Sequence, residues 1–146
     1  MSGHTIYPQL KLENQICFPL YAVSRKIISL YTPYLKPLGL TYTQYLVMMV
    51  LWEKEAITVS ELCRSLRLDN GTVTPLLKKM EKAGLVTRSR SKTDERVVTV
   101  SLTEAGWDLE EKARDIPDSI GNCIHMDKDE ALRLYRTLYK ILGCDG

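Results

Sequence analysis

The chain has 146 residues, 45% of them apolar and 26% charged, with a net charge of +2, which is normal for one soluble globular domain that needs no metal or disulfide staples. Its longest strongly apolar run, Tyr45 to Trp52, is far too short to cross a bilayer. The segment MSGHTIYPQL lacks a basic region followed by an apolar stretch, so no secretory signal or membrane partner is expected and a cytoplasmic location is.

From Asn14 to about Leu35 the spacing predicts a helix, with Leu20, Val23, Ile27, Leu30, Tyr31 and Tyr34 on one side and breakers at Pro37 and Gly39. A second helix opens near Thr41–Thr43 and runs through QYLVMMVLWEK, apolar enough to be buried on most sides. Thr58 or Ser60 caps a third, with Val59, Leu62 and Leu66 at i, i+3 and i+7. Asp69 or Asn70 caps a fourth, bearing Val73, Leu76, Leu77 and Met80 and stopped by Gly84. Next come LVTRSR and RVVTVSL, joined by SKTDE, in which Val98, Val100 and Leu102 alternate as in a half-buried strand. Thr103 caps a helix over about 104–121, interrupted by Pro117. Asp127 with Glu130 opens the last helix, whose stripe of Ala131, Leu134, Tyr135, Leu138 and Leu142 needs a cover.

Two short helices followed by a basic hairpin, over 57–102, follow the order of a winged helix-turn-helix. The fold class expected is therefore mainly α with a small β-hairpin wing, the reader being embedded in a helical dimerisation domain. A single domain over 11–143 is expected, with dimerisation helices at 12–36 and 104–143. Charge points to duplex DNA as partner. Residues 64–96 hold nine basic residues and four acids, a net +5, leaving −3 for the rest of the chain. On the fourth helix, Asn70, Thr72, Thr74, Lys78 and Lys79 form a polar face whose small hydrogen-bonding residues suit a major groove. Arg88, Arg90, Lys92 and Arg96 on the hairpin suit phosphates and the minor groove. Each feature taken singly is also what a solvated helix face or charged turn looks like; the ordered set favours DNA. Two half-sites one helical turn apart then call for a homodimer on a pseudo-palindromic operator.

Cys17, Cys63, Cys123 and Cys144 form no CxxC pair and no cluster with histidine, so neither zinc nor any other cofactor is expected. Cys63, between Leu62 and Leu66, is read as packed or semi-exposed filler, and the isolated His4 and His125 receive no role.

Almost the whole chain, Leu12 to Leu142, resembles the MarR family of bacterial transcriptional regulators, and within it the OhrR organic hydroperoxide sensors. The resemblance is carried by ENQICFPLY (13–21), LTYTQYLVMMVLWE (40–53), LDNGTVTPLLKKMEKAGLVTR (68–88), DERVVTVSLTEAG (94–106) and DIPDSI (115–120). The NQ-x-C-F sequence, with tyrosines 14 and 25 residues beyond the cysteine, marks the peroxide-sensing branch. By position, the resemblance makes Cys17 the peroxidatic cysteine and Tyr31 and Tyr42 the tyrosines that hydrogen-bond its thiolate. It makes Asp94 and Arg96 wing residues, the arginine entering the minor groove, and places Asn70, Thr72, Thr74, Pro75 and Lys78 in the recognition helix. It implies a homodimeric repressor that releases its operator when Cys17 is oxidised by an organic hydroperoxide. The resemblance also implies that a disulfide, either to Cys123 of the partner subunit or to a small thiol, completes the switch, with Cys144 a weaker resolver.

Two residues depart from the family pattern. Pro19 stands where an aliphatic residue is usual, so that either the helix starts at Cys17 or it kinks there. Asn70 stands where a serine is common, which points to a different operator preference.

The chemistry suits these residues. Only a thiolate attacks peroxide, the first turn of a helix favours an anion, and tyrosine hydroxyls can donate to sulfur. Phe18, Tyr21 and Trp52 would form an apolar mouth selecting organic peroxides. The alternative is a MarR-type regulator released by a small phenolic or aromatic ligand, with Cys17 incidental. A thiol peroxidase is set aside, since nothing in the chain resembles a thioredoxin-like βαβ pattern and the basic reader would go unexplained; the protein is not expected to be an enzyme.

Overall fold

In the computed structural model, which describes residues 7–143, the first long helix begins at the cysteine itself. Helix α1 spans Cys17–Leu35, so the helix expected from Asn14 starts three residues later. Two single turns of 3-10 helix precede it, Pro8–Leu10 and Leu12–Asn14, pinned by the Asn14 amide donating to the Pro8 carbonyl (2.7 Å) and the Gln15 amide to that of Gln9 (2.6 Å). Pro19 falls in the first turn of α1, where its missing N–H has no intrahelical partner to lose. Of the two readings of Pro19, the structure gives the one in which the helix starts at Cys17. His4 and Cys144 lie outside the described residues.

Helix α2 (Tyr42–Lys54) opens on a reciprocal cap. The Gln44 N–H donates to the Thr41 hydroxyl, and the Thr41 N–H to the Gln44 side chain. As its apolarity predicts, Tyr45, Val47, Met48 and Leu51 are buried. Glu55, at φ 61°, turns the chain into a three-residue strand that sequence reasoning missed, β1 (Ala56–Thr58). Thr58 then caps α3 (Val59–Leu66) in a second reciprocal pair, with Glu61. Asp69 caps α4 (Asn70–Lys82), accepting the Thr72 N–H at 2.7 Å. Gly84 follows at φ 76°, a left-handed value that suits glycine past a helix end.

The wing is a hairpin of β2 (Val86–Arg90) and β3 (Val98–Leu102), and β1 adds to its other edge, giving an antiparallel sheet in the order β1-β3-β2. Val100 sits opposite both Ile57 and Arg88. Because β3 is central, its Thr99 and Ser101 are half-buried along with Val98 and Leu102, and the expected alternation is blunted. Leu62, Val73, Leu77, Met80, Val86 and Val100 join the α2 residues in the core.

Helix α5 (Glu104–Ala113) is capped by the Thr103 hydroxyl, which accepts the Gly106 N–H and donates to the Gly84 carbonyl at 2.6 Å. Gly106 is where α5 meets the sheet. A Cβ there would lie 2.4 Å from the Leu85 carbonyl oxygen, so only glycine fits without movement. The Trp52 indole N–H donates to the Gly106 carbonyl at 3.1 Å, tying α2 to α5.

The chain divides into two compact units, one up to Ala113 and one from Arg114. The second contains α6 (Ile116–Ile124) and α7 (Lys128–Ile141). The break expected at Pro117 comes earlier, at Arg114–Asp115, because the proline sits in the first turn of α6. Asp127 and Glu130 cap α7 reciprocally. Among the described residues no helix is long and apolar enough to cross a membrane.

Candidate nucleic-acid interface and sensor cysteine

Six of the residues expected to touch DNA share one cleft. Asn70, Thr74 and Lys78 on α4 and Arg88, Arg90 and Arg96 on the wing line an opening of about 410 Å³. Thr72, on α4 between Asn70 and Thr74, is exposed but lies outside that lining, as does Asp94. The cleft has a third side that the sequence did not reveal: Thr58 and Ser60, at the start of α3. The signal was present, since a reciprocal cap at Thr58 and Glu61 leaves Ser60 facing outward in that turn.

Charge pairing orders the wing. Arg88 makes a two-pronged contact with Glu81 of α4, Nε to Oε2 at 3.0 Å and Nη2 to Oε1 at 3.4 Å, bracing the ribbon against the helix. Hydrogen bonding from Arg88 holds the Glu81 carboxyl below the usual carboxylate range. Arg90 donates to the Glu95 carbonyl at 3.0 Å. Arg96 rests on Asp94, Nε to Oδ1 at 3.2 Å, with its side chain 91% exposed at the wing tip. The tip itself is held by local hydrogen bonds: the Ser91 N–H donates to Val97 O, and the Ser91 hydroxyl accepts from the N–H groups of Thr93 and Asp94. Arg96 is thereby presented outward from the hydrogen-bonded tip.

Cys63 is half-buried, as expected, and it also has a polar partner. Its Sγ–H donates to Asn70 Oδ1 at 3.2 Å, across the turn from α3 to α4.

The cysteine assigned to sensing occupies the first position of α1 and is exposed. Tyr31 and Tyr42 lie together, ring centroids 4.9 Å apart, with Tyr45 5.7 Å from Tyr31. Burial pushes the phenols of Tyr31 and Tyr42 up, so both keep their protons and remain donors. They are far from the sulfur of the same chain. Fourteen residues of helix at about 1.5 Å each put Tyr31 ~21 Å along α1 from Cys17. Trp52, assigned to the mouth of the sensor, packs edge-on against Tyr45, the neighbour of Tyr31, and its N–H donates to the Gly106 carbonyl. Cys123 is exposed in the last turn of α6. Among the described residues no group of three or more histidine, cysteine or carboxylate side chains could hold a metal ion.

The sequence and fold match known proteins. The profile of the SarA/Rot transcriptional regulators matches residues 29–113. The organic hydroperoxide resistance transcriptional regulator of Bacillus subtilis is 48% identical over 93% of this chain and 92% of its own. AbfR of Staphylococcus epidermidis, solved reduced and bound to DNA, is 36% identical, covers 92% of this chain and 94% of its own, and superposes with a TM-score of 0.78. The same protein gives 0.76 in an overoxidised form bound to DNA and 0.65 in a disulfide form. A cysteine-to-serine variant of MarR from E. coli on operator DNA is 28% identical, with a TM-score of 0.81 over 90% of this chain and 99% of its own. The chain belongs to the SarA/Rot family of transcriptional regulators, and is a DNA-binding, MarR-type winged-helix protein, similar to the Bacillus subtilis organic hydroperoxide resistance regulator, rather than an enzyme.

Proposed function

We propose that this regulator is a homodimeric, redox-sensing repressor that acts in the cytoplasm and releases a pseudo-palindromic operator when an organic hydroperoxide oxidises Cys17. The observation that carries this is the exposed thiol at the first position of α1, with two protonated phenols held together ~21 Å away at the far end of that helix. The phenols cannot serve their own thiolate at that distance, so Tyr31 and Tyr42 of the partner subunit donate to it. Dimerisation also accounts for the uncovered apolar side chains of α1 and of α7, among them Tyr21 at 61% exposure and Ile141 at 66%.

The thiolate of Cys17 attacks the terminal peroxide oxygen. An S–O bond forms as the O–O bond breaks, and the alkoxide leaves, taking a proton to become an alcohol. Cys17 is left as a sulfenic acid. The Cys123 thiolate of the partner subunit then attacks that sulfur, forming the S–S bond and expelling hydroxide, which leaves as water. A small thiol performs the same step where Cys123 does not. The disulfide is the releasing species in this scheme; the neighbour AbfR was solved on DNA in an overoxidised form, and its disulfide form is the poorer superposition on this chain.

Release follows from geometry. Moving the partner's tyrosines off the sulfur shifts α1, and two readers matched to half-sites about 34 Å apart lose register. A differential of roughly 3 kcal/mol between the two states lowers operator affinity more than 100-fold. On DNA, α4 takes the major groove through Asn70, Thr72, Thr74 and Lys78. Arg88, Arg90, Asp94 and Arg96 position the wing, Arg96 entering the minor groove.

The test is a gel shift with DNA from upstream of its own gene, before and after stoichiometric cumene hydroperoxide, using wild type, Cys17→Ser and Cys123→Ser. Release by wild type and retention by Cys17→Ser is the expected result. A second reading rests on the apolar crevice of about 460 Å³ lined by Ile28, Thr32, Leu35, Leu40 and Tyr42. It would take a small phenolic or aromatic ligand, and a Cys17→Ser protein still released by such a ligand would favour it.

A further inference from the structure

We propose that Cys63 sets the base preference of this regulator by fixing which edge of the Asn70 amide faces the DNA. The inference deepens the proposed function and rests on α4 being the base-reading helix.

Asn70 is the first residue of α4, exposed, and on the wall of the basic cleft beside Thr74, Lys78 and Arg96. An unrestrained asparagine amide rotates freely and offers either its oxygen or its NH₂, or both at once, as in the two-pronged pairing with adenine N6 and N7. Here the oxygen is turned back. The half-buried Cys63, on the facing helix of the pair, donates its S–H to Asn70 Oδ1 at 3.2 Å. With Oδ1 held there, the Nδ2 donors are what remain to face a base. Donors match acceptor edges in the major groove, guanine N7 and O6 or thymine O4. They cannot complete the adenine pairing, which needs Oδ1, and they meet the cytosine amino group donor to donor.

Cys63 is suited to this task rather than to redox chemistry. Burial, then the Asp69 carboxylate, push its thiol up, so it stays protonated at neutral pH and keeps the hydrogen that the bond requires. Cys63 is a positioning residue, acting on DNA through Asn70.

The test is selection of binding sites from a randomised duplex library, followed by anisotropy titrations on the selected operator with each base varied in turn. Wild type, Cys63→Ala, Cys63→Ser and Asn70→Ala would be compared, with Cys63→Ala also made in the Asn70→Ala background and folding checked by thermal melting. In wild type, one symmetry-related position per half-site should favour guanine or thymine over adenine by at least about fivefold, the low end for a specific base contact. Cys63→Ala should bring that ratio below about twofold by improving adenine, leaving other positions unchanged. Cys63→Ser, whose hydroxyl donates in the same place, should restore it, and Cys63→Ala should change nothing further in Asn70→Ala. An unchanged preference in Cys63→Ala overturns the inference, as does an equal loss of affinity for every sequence, or a wild type that prefers adenine at the Asn70 position. A wild type that selects no sequence at all overturns the base-reading role of α4, and this inference with it.

Discussion

Mixed dimers can show whether the thiolate is stabilised across the subunit interface. Tyr31 lies ~21 Å along α1 from Cys17, whereas a hydrogen bond requires about 3 Å. Tyr42, ring to ring with Tyr31, shares that end of the helix. Each hydroxyl donating to a charged sulfur contributes about 1.5 kcal/mol or more, roughly tenfold in the rate of peroxide attack. A homodimer carrying Tyr31→Phe and Tyr42→Phe should therefore lose roughly 100-fold in the rate at which Cys17 forms dimedone-trappable sulfenic acid. Pairing one such subunit with a Cys17→Ser subunit leaves a single Cys17, on the chain without the hydroxyls. If the tyrosines act in trans, that cysteine faces two intact phenols and reacts at the wild-type rate, with half the amplitude. Reaction at the slow rate of the Tyr→Phe homodimer would refute the trans arrangement.

Other outcomes follow from local geometry. Gly106→Ala places a Cβ 2.4 Å from the Leu85 carbonyl oxygen, and should cost about 1–3 kcal/mol, read as a melting temperature lower by roughly 3–10 °C. Hydrogen bonding from Arg88 lowers the Glu81 carboxyl, so the stability that this pair contributes is present above the unfolded value of about 4.3 and is lost as pH falls through the folded one. Urea midpoints of wild type and Glu81→Gln should accordingly converge as the medium is acidified below about pH 4. Arg96→Ala should reduce the slope of log K against log salt by about 1.8 per dimer, roughly 0.9 for each positive charge removed, and weaken binding most on operators whose minor groove under the wing is narrow and A·T-rich; an equal loss on every sequence would place Arg96 on a phosphate instead.

Local chemistry made much of the fold legible. Thr41 with Gln44, Thr58 with Glu61 and Asp127 with Glu130 are short-range patterns whose caps need nothing beyond their own four residues, and Gly84 stops α4 for an equally local reason. Strand β1 was not legible because Ala-Ile-Thr is too short to show a period; its strand character comes from pairing with β3, more than forty residues downstream. Apolar spacing alone extended α1 back to Asn14, whereas Pro19 marked the true start. At the site, sequence identified Asn70, Thr74, Lys78 and the arginines, and the structure gathered them into one cleft. The engagement of Arg88 with Glu81, and of Cys63 with Asn70, depends on elements meeting across turns, so neither shows in a linear pattern. The resemblance located Cys17, Tyr31 and Tyr42; helix length alone shows that the first two cannot meet within one chain.

The central claim is that oxidation of Cys17 releases DNA. Operator occupancy by fluorescence anisotropy and the oxidation state of Cys17 by intact-mass spectrometry would be followed in one time course after adding one equivalent of cumene hydroperoxide. The account predicts that release tracks disulfide formation at Cys17, that Cys17→Ser stays bound throughout, and that reduction restores binding. Wild-type protein still on its operator with Cys17 fully converted to a disulfide would contradict it.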